Sequence, residues 1–277
     1  MIKKAVYLGI LLLICSSCGE YYKVQKSTDL DLKYQYAKKC FDTGKYNRAY
    51  SLLEDLVAVF KGTDKGEESL YLLALCHFMA KNYDTAGDYF ATYYRSFPKG
   101  EYTEMARYYS GLSYYNDSPD PRLDQSITYK GIEELQMYLD YYPRGEKVKE
   151  AQDMIVKLQE KLVEKEFLNA MTYFNIGNYL GRNYFESAVI TAQNALKTFP
   201  YTQRKEEFLM LILRARYKEA QESINERKGE RYRNTIDEYY AYINEYPDGK
   251  YKKEAESIFN DASKGYFWIV VRSKGNE

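Results

Sequence analysis

The 277 residues contain a single histidine, His77, and a single tryptophan, Trp268. An imidazole base needs a group to orient it and a nucleophile to serve. His77 instead falls on the apolar side of a helical pattern, where packing is the simpler reading. There is no Gly-rich phosphate loop, no His-x-x-x-His zinc pair and no Ser nucleophile elbow. These absences predict a protein that is not an enzyme and carries no cofactor or metal. The acidic pairs Glu67-Glu68, Glu133-Glu134 and Glu206-Glu207 read as solvated helix faces. Net charge is also lacking: Lys plus Arg equals Asp plus Glu at 40 each. That leaves no basic footprint for nucleic acid. Long apolar runs are missing as well. Val6–Ile14 and Tyr266–Val271 are both too short to span a bilayer as a helix. Of the four cysteines, Cys40 and Cys76 fall in neighbouring first helices and read as small buried hydrophobes. An oxidising compartment would permit their pairing if the geometry allowed it.

What the chain has is tyrosine, 33 in all, and a repeat. Along Glu67–Pro98, apolar residues recur at helical spacing (Leu70, Leu73, Ala74, His77), break at Lys81-Asn82, then resume (Tyr83, Ala86, Phe90, Tyr93). So short a turn makes the two helices antiparallel. Ala74 and Ala86 fall where they cross, and Pro98 stops the second. The pattern resembles a tetratricopeptide repeat, a unit of about 34 residues.

The punctuation recurs at Phe97-Pro98-Lys99-Gly100, Tyr142-Pro143-Arg144-Gly145, Phe199-Pro200 and Tyr246-Pro247-Asp248-Gly249, with Phe60-Lys61-Gly62 as a proline-free member. Acidic residues then open the next helix near its positive dipole end. The fold class expected is all-α: a right-handed solenoid of five tetratricopeptide-like helix pairs with a C-terminal capping helix. Repeats 1–3 are assigned to residues 28–143. A connector, repeats 4–5 and the cap occupy 144–263, and a tail 264–277. The third repeat carries an insertion, Asn116–Leu123, which is either a contact site or a tolerated surface loop. Glu146 to about Asn175 reads as one long connector helix or as two with a bend near Glu164. The turn of the fifth unit, Ser223–Glu230, reads as long and polar. The apolar tail either docks on the last helices or pairs with a partner's strand edge.

Residues 1–17 read as a signal peptide. Lys3 and Lys4 precede the apolar run, and Ser16-Ser17-Cys18 looks like a lipobox, predicting diacylation of Cys18; the competing reading is a plain secretory signal. Residues 18–27 would be a short tether to the membrane. In a tetratricopeptide unit, three positions of each first helix face the concave side. Here they hold Tyr34, Lys38 and Phe41; Tyr71, Leu75 and Phe78; and Tyr108, Leu112 and Tyr115. This aromatic and aliphatic stripe suits an apolar, aromatic-rich segment, unless neighbouring units bury the rings.

A lipobox followed by this array resembles the BamD family, the lipoprotein subunit of the outer-membrane β-barrel assembly machinery. The most specific stretches are Lys26–Asp29, Tyr46–Ala49, Phe60–Lys65, Pro121–Ser126 and Tyr232–Tyr239. The resemblance implies a periplasm-facing scaffold, lipid-anchored at the outer membrane. Its N-terminal half would receive unfolded outer-membrane proteins and its C-terminal half would bind the barrel-forming subunit BamA. The alternative is a helical-repeat surface lipoprotein that binds peptide or glycan for nutrient uptake.

Overall fold

The computed structural model describes residues 19–274, with side chains through Ile269. The signal peptide and Cys18 lie outside the described residues. Every described element is helical. One compact unit comprises the chain to Pro119 with Asp124–Leu158, and the other Asp120–Leu123 with Gln159 onward. The first contains α1 (Leu30–Asp42), α2 (Tyr46–Val59), α3 (Asp64–Met79), α4 (Tyr83–Ser96), α5 (Thr103–Asp117) and α6 (Ser126–Tyr141). Helix α7 (Val148–Ile176) begins in the first unit and ends in the second. The second continues with a 3₁₀ turn (Tyr179–Gly181), α8 (Tyr184–Thr198), α9 (Lys205–Gln221), α10 (Asn225–Glu245) and α11 (Lys252–Lys274). Consecutive helices pack on one another, so the chain is a tetratricopeptide-like helical-repeat array.

Small residues let the paired helices approach. Ala37, Ala49, Ala74, Ala86, Ala188 and Ala192 are fully buried. At Gly111 an added Cβ would sit 2.6 Å from the Leu135 side chain. Leu52, Leu53 and Leu56 fill the first core. Asp29 and Thr63 cap α1 and α3, accepting the amide hydrogens of Leu32 at 2.9 Å and Gly66 at 3.2 Å. The turn between paired helices uses a left-handed residue, Gly44 at φ 72° in the first repeat and Lys81 at φ 64° in the second.

The Pro-x-Gly punctuation has a physical cause that is not backbone strain. Tyr93, Tyr138 and Tyr242 are fully buried. The Tyr93 hydroxyl donates to Glu67 Oε1 at 2.5 Å and accepts the Tyr102 N–H at 3.1 Å. Tyr138 does the same with Glu104 (3.3 Å) and the Lys147 N–H (3.1 Å). Tyr242 repeats it with Glu206 (2.8 Å) and the Tyr251 N–H (3.2 Å). A Cβ at Gly100, Gly145 or Gly249 would press into the tyrosine oxygen and glutamate oxygen of its own copy. Two copies lack the tyrosine, having Leu56 and Ala195 there, and both place threonine (Thr63, Thr202) at the glycine position. The glycine therefore accompanies the buried tyrosine.

Several expectations are corrected. The acidic pairs are not simply solvated: Glu67 and Glu206 accept these tyrosine hydroxyls, and Glu134 is buried against Tyr94 Oη at 2.9 Å. The Arg107 guanidinium, packed over the Tyr94 ring at 4.1 Å, sets a cation beside that pair. Part of the segment read as a tether is folded onto the body. Residues 19–25 are helical, Val24 is buried in the first core and the Arg48 guanidinium lies over the Tyr21 ring at 5.3 Å. Of the two readings left open for the connector, the structure has the single helix, 29 residues long. The fifth turn is short, because α10 already starts at Asn225. The capping helix does not stop near residue 263 but runs to Lys274, because apolar residues continue at helical spacing.

Candidate partner-binding surfaces

The nine stripe residues come from α1, α3 and α5 of the first unit, and they divide by depth. Tyr34, Tyr71 and Tyr108 are 4%, 9% and 5% exposed, so these rings are contacts between helices and not an open face. Tyr34 donates to Glu68, which also accepts Lys38 Nζ at 2.5 Å. Tyr71 stacks on Tyr102 at 4.4 Å with an 8° interplanar angle. Tyr108 donates to Glu150 Oε2 at 2.7 Å and meets Tyr138 edge-on. Burial, with the neighbouring carboxylates at Tyr34 and Tyr108, pushes all three phenols well above their ordinary range. The physical reason is length. A tyrosine on one first helix is long enough to reach the next: Tyr34 and Tyr108 find a carboxylate there for the hydroxyl, and Tyr71 finds a ring to stack on.

The remaining six residues, Lys38, Phe41, Leu75, Phe78, Leu112 and Tyr115, are half-buried. Phe41 packs edge-on against Tyr46 at 5.7 Å, and Phe78 against Tyr83 at 5.4 Å. Each ring therefore rests on the start of its own second helix, and Phe78 also meets the Tyr109 ring at 5.3 Å. For the Glu68 carboxyl, burial acts upward, but the hydrogen bonds from Lys38 and Tyr34 hold it below the usual carboxylate range. The Lys38 charge is thus partly spent inside the surface. His77 is 5% exposed, stacked between Tyr50 (4.4 Å) and Tyr89 (5.2 Å), and burial lowers its pKa. Cys40 and Cys76 are both free and buried.

The second unit holds an open cleft of about 520 Å³. Its walls are Pro121 and Arg122 of the insertion, and Lys165, Phe167, Leu168, Met171 and Thr172 of α7 among others. The insertion is ordered by its own turns. The Arg122 N–H donates to Asp120 Oδ1 at 3.0 Å and the Ser126 N–H to Asp124 Oδ1 at 2.9 Å. Sequence reasoning singled out the insertion but not its α7 wall. The signal available was Phe167, Leu168 and Met171 breaking the charged pattern of the connector.

Taken together, these features define a class: a helical-repeat protein. The family follows from comparison. Residues 27–228 match the family model YfiO, outer membrane lipoprotein, and the chain belongs to that family. A relative, the outer membrane protein assembly factor BamD of Caulobacter vibrioides, is 23% identical over 187 residues. The match covers 64% of this chain and 60% of that protein's length.

Proposed function

We propose that the protein is a lipid-anchored periplasmic scaffold of the outer membrane that helps assemble β-barrel proteins. In this reading Cys18 carries the lipid. The first unit receives unfolded barrel substrates, and the second binds a BamA-like barrel-forming subunit. The protein works by holding partners and is not an enzyme. The observation that carries the reading is the family match across residues 27–228, laid over a helical-repeat array. The similarity to a protein named as an assembly factor adds to it. The substrate face would be the half-buried Phe41, Leu75, Phe78, Leu112 and Tyr115 with Lys38. Tyr34, Tyr71 and Tyr108 would hold those helices in register beneath it.

Co-purification under mild detergent tests the scaffold role. A large barrel protein with periplasmic repeats is the expected companion, whereas a transporter would favour nutrient uptake. Peptide binding tests the face. Phe78→Ala with Tyr115→Ala should weaken a barrel-derived, aromatic-rich peptide by at least tenfold, since desolvated aromatic anchors contribute about 2 kcal/mol or more. Unchanged affinity in that folded variant removes the face from the reading. Mass spectrometry that finds the mature N-terminus unmodified at Cys18 would remove the anchor.

A further inference from the structure

The end of α11 is divided lengthwise. One side packs on α10: Ala262 is fully buried, the Tyr232 ring lies where a Cβ on Gly265 would be (2.8 Å), and Ile269 reaches the Gly229 position. The other side carries Phe267 and Trp268, 64% and 71% exposed. Two adjacent large aromatics so open to water, within a folded helix, leave apolar area without a cover.

The surrounding sequence says what kind of cover fits. Lys264 precedes the run Tyr266-Phe267-Trp268-Ile269-Val270-Val271, and Arg272 and Lys274 follow it. No acidic residue occurs between Asp261 and Glu277. In a chain of zero net charge, this end is therefore locally basic. The run itself offers almost no polar atoms for specific recognition by a protein, beyond the Tyr266 hydroxyl and the indole N–H. Aromatics bracketed by Lys and Arg are what the bilayer interface selects. Indole and phenol rings sit at headgroup level, and long cationic side chains reach out to anionic lipid. Among the described residues no helix is long and apolar enough to cross a membrane, which leaves a segment lying on the surface.

We propose that the end of α11, Lys264 to Lys274, is a membrane-interface segment. It seats Phe267 and Trp268 at the headgroup boundary of an anionic phospholipid surface, as a second attachment separate from any lipid at Cys18.

Trp268 is the only tryptophan, so its emission reports this place alone. The full chain is reconstituted into vesicles containing phosphatidylglycerol, or phosphatidylcholine only, and floated. The expected result is a blue-shifted Trp268 emission, quenched by lipids brominated in the acyl chain, in the anionic vesicles and much less in the zwitterionic ones. Arg272→Gln and Lys274→Gln should each lower the ratio of inserted to water-exposed Trp268 about fivefold. Emission that stays at the water-exposed position in floated protein overturns the proposal. So does a shift that depends on protein density and ignores lipid charge, which would assign the face to a second copy. Mass spectrometry reads lipid at Cys18 independently of the Trp268 emission, so failure of either attachment is distinguishable.

Discussion

Gly100→Ala tests whether the recurrent glycine is set by the buried tyrosine. The backbone at Gly100 is not left-handed, so alanine carries no conformational penalty there. Its Cβ would instead press on Glu67 Oε1 and stand 2.7 Å from Tyr93 Oη. Tyr93 is fully buried and cannot retreat, so the Glu67 carboxylate must leave. That breaks its hydrogen bonds from Tyr93 Oη (2.5 Å) and the Glu101 N–H (2.9 Å). A hydrogen bond to a charged group contributes about 1.5–3 kcal/mol and overpacking costs about 1–3 kcal/mol, with part of each relieved by relaxation. We expect a loss of about 2 kcal/mol, or about 4–8 °C in melting temperature. The assay is urea unfolding followed by helical circular dichroism, on a double-mutant cycle with Tyr93→Ala. With the phenol gone Glu67 can shift, so the second substitution should cost far less in the Tyr93→Ala background than in the wild type, a coupling of about 1 kcal/mol or more. Strict additivity, or a neutral Gly100→Ala, would falsify the close-approach argument. The Leu56/Thr63 and Ala195/Thr202 copies already show the array accepting a side chain there when tyrosine is absent.

Lys81 occupies the left-handed turn position that Gly44 fills in the first repeat, and a non-glycine residue there costs about 1–2 kcal/mol. Lys81→Gly should therefore raise the urea midpoint, offset in part by unfolded-chain entropy, while Gly44→Lys should lower it. The Glu68 carboxyl is held below its ordinary value of 4.5 when folded, so it stabilises the protein above that pH. The contribution fades as pH falls from 4.5 through the lowered folded value, and Glu68→Gln should flatten the stability profile in that acid window. The Cys76 thiol is fully buried, and burial with Cys40 nearby pushes its pKa up to about 12. Iodoacetamide at pH 8 should leave it unlabelled in folded protein and label it in urea; rapid native labelling would contradict that burial.

The sequence by itself determined the repeat, because its signals are local. Apolar spacing, alanines at the crossings and proline at each end depend on residues within one or two turns, so α3 and α4 were legible almost to their boundaries. The left-handed turn at Gly44 and the cap at Asp29 belong to the same class. Only the tertiary structure decided how deep each side chain lies, because depth is set by the neighbouring repeat, some 34–45 residues away in sequence. Tyr34 looked like an open groove residue until Glu68 arrived on the next first helix to take its hydroxyl. Glu134 looked solvated until the Tyr94 hydroxyl reached it from another helix. The α7 wall of the cleft appeared only when Pro121 and Arg122 were placed beside it. Helical periodicity names the face a residue occupies. Whether that face meets water or another helix is a property of the assembled array.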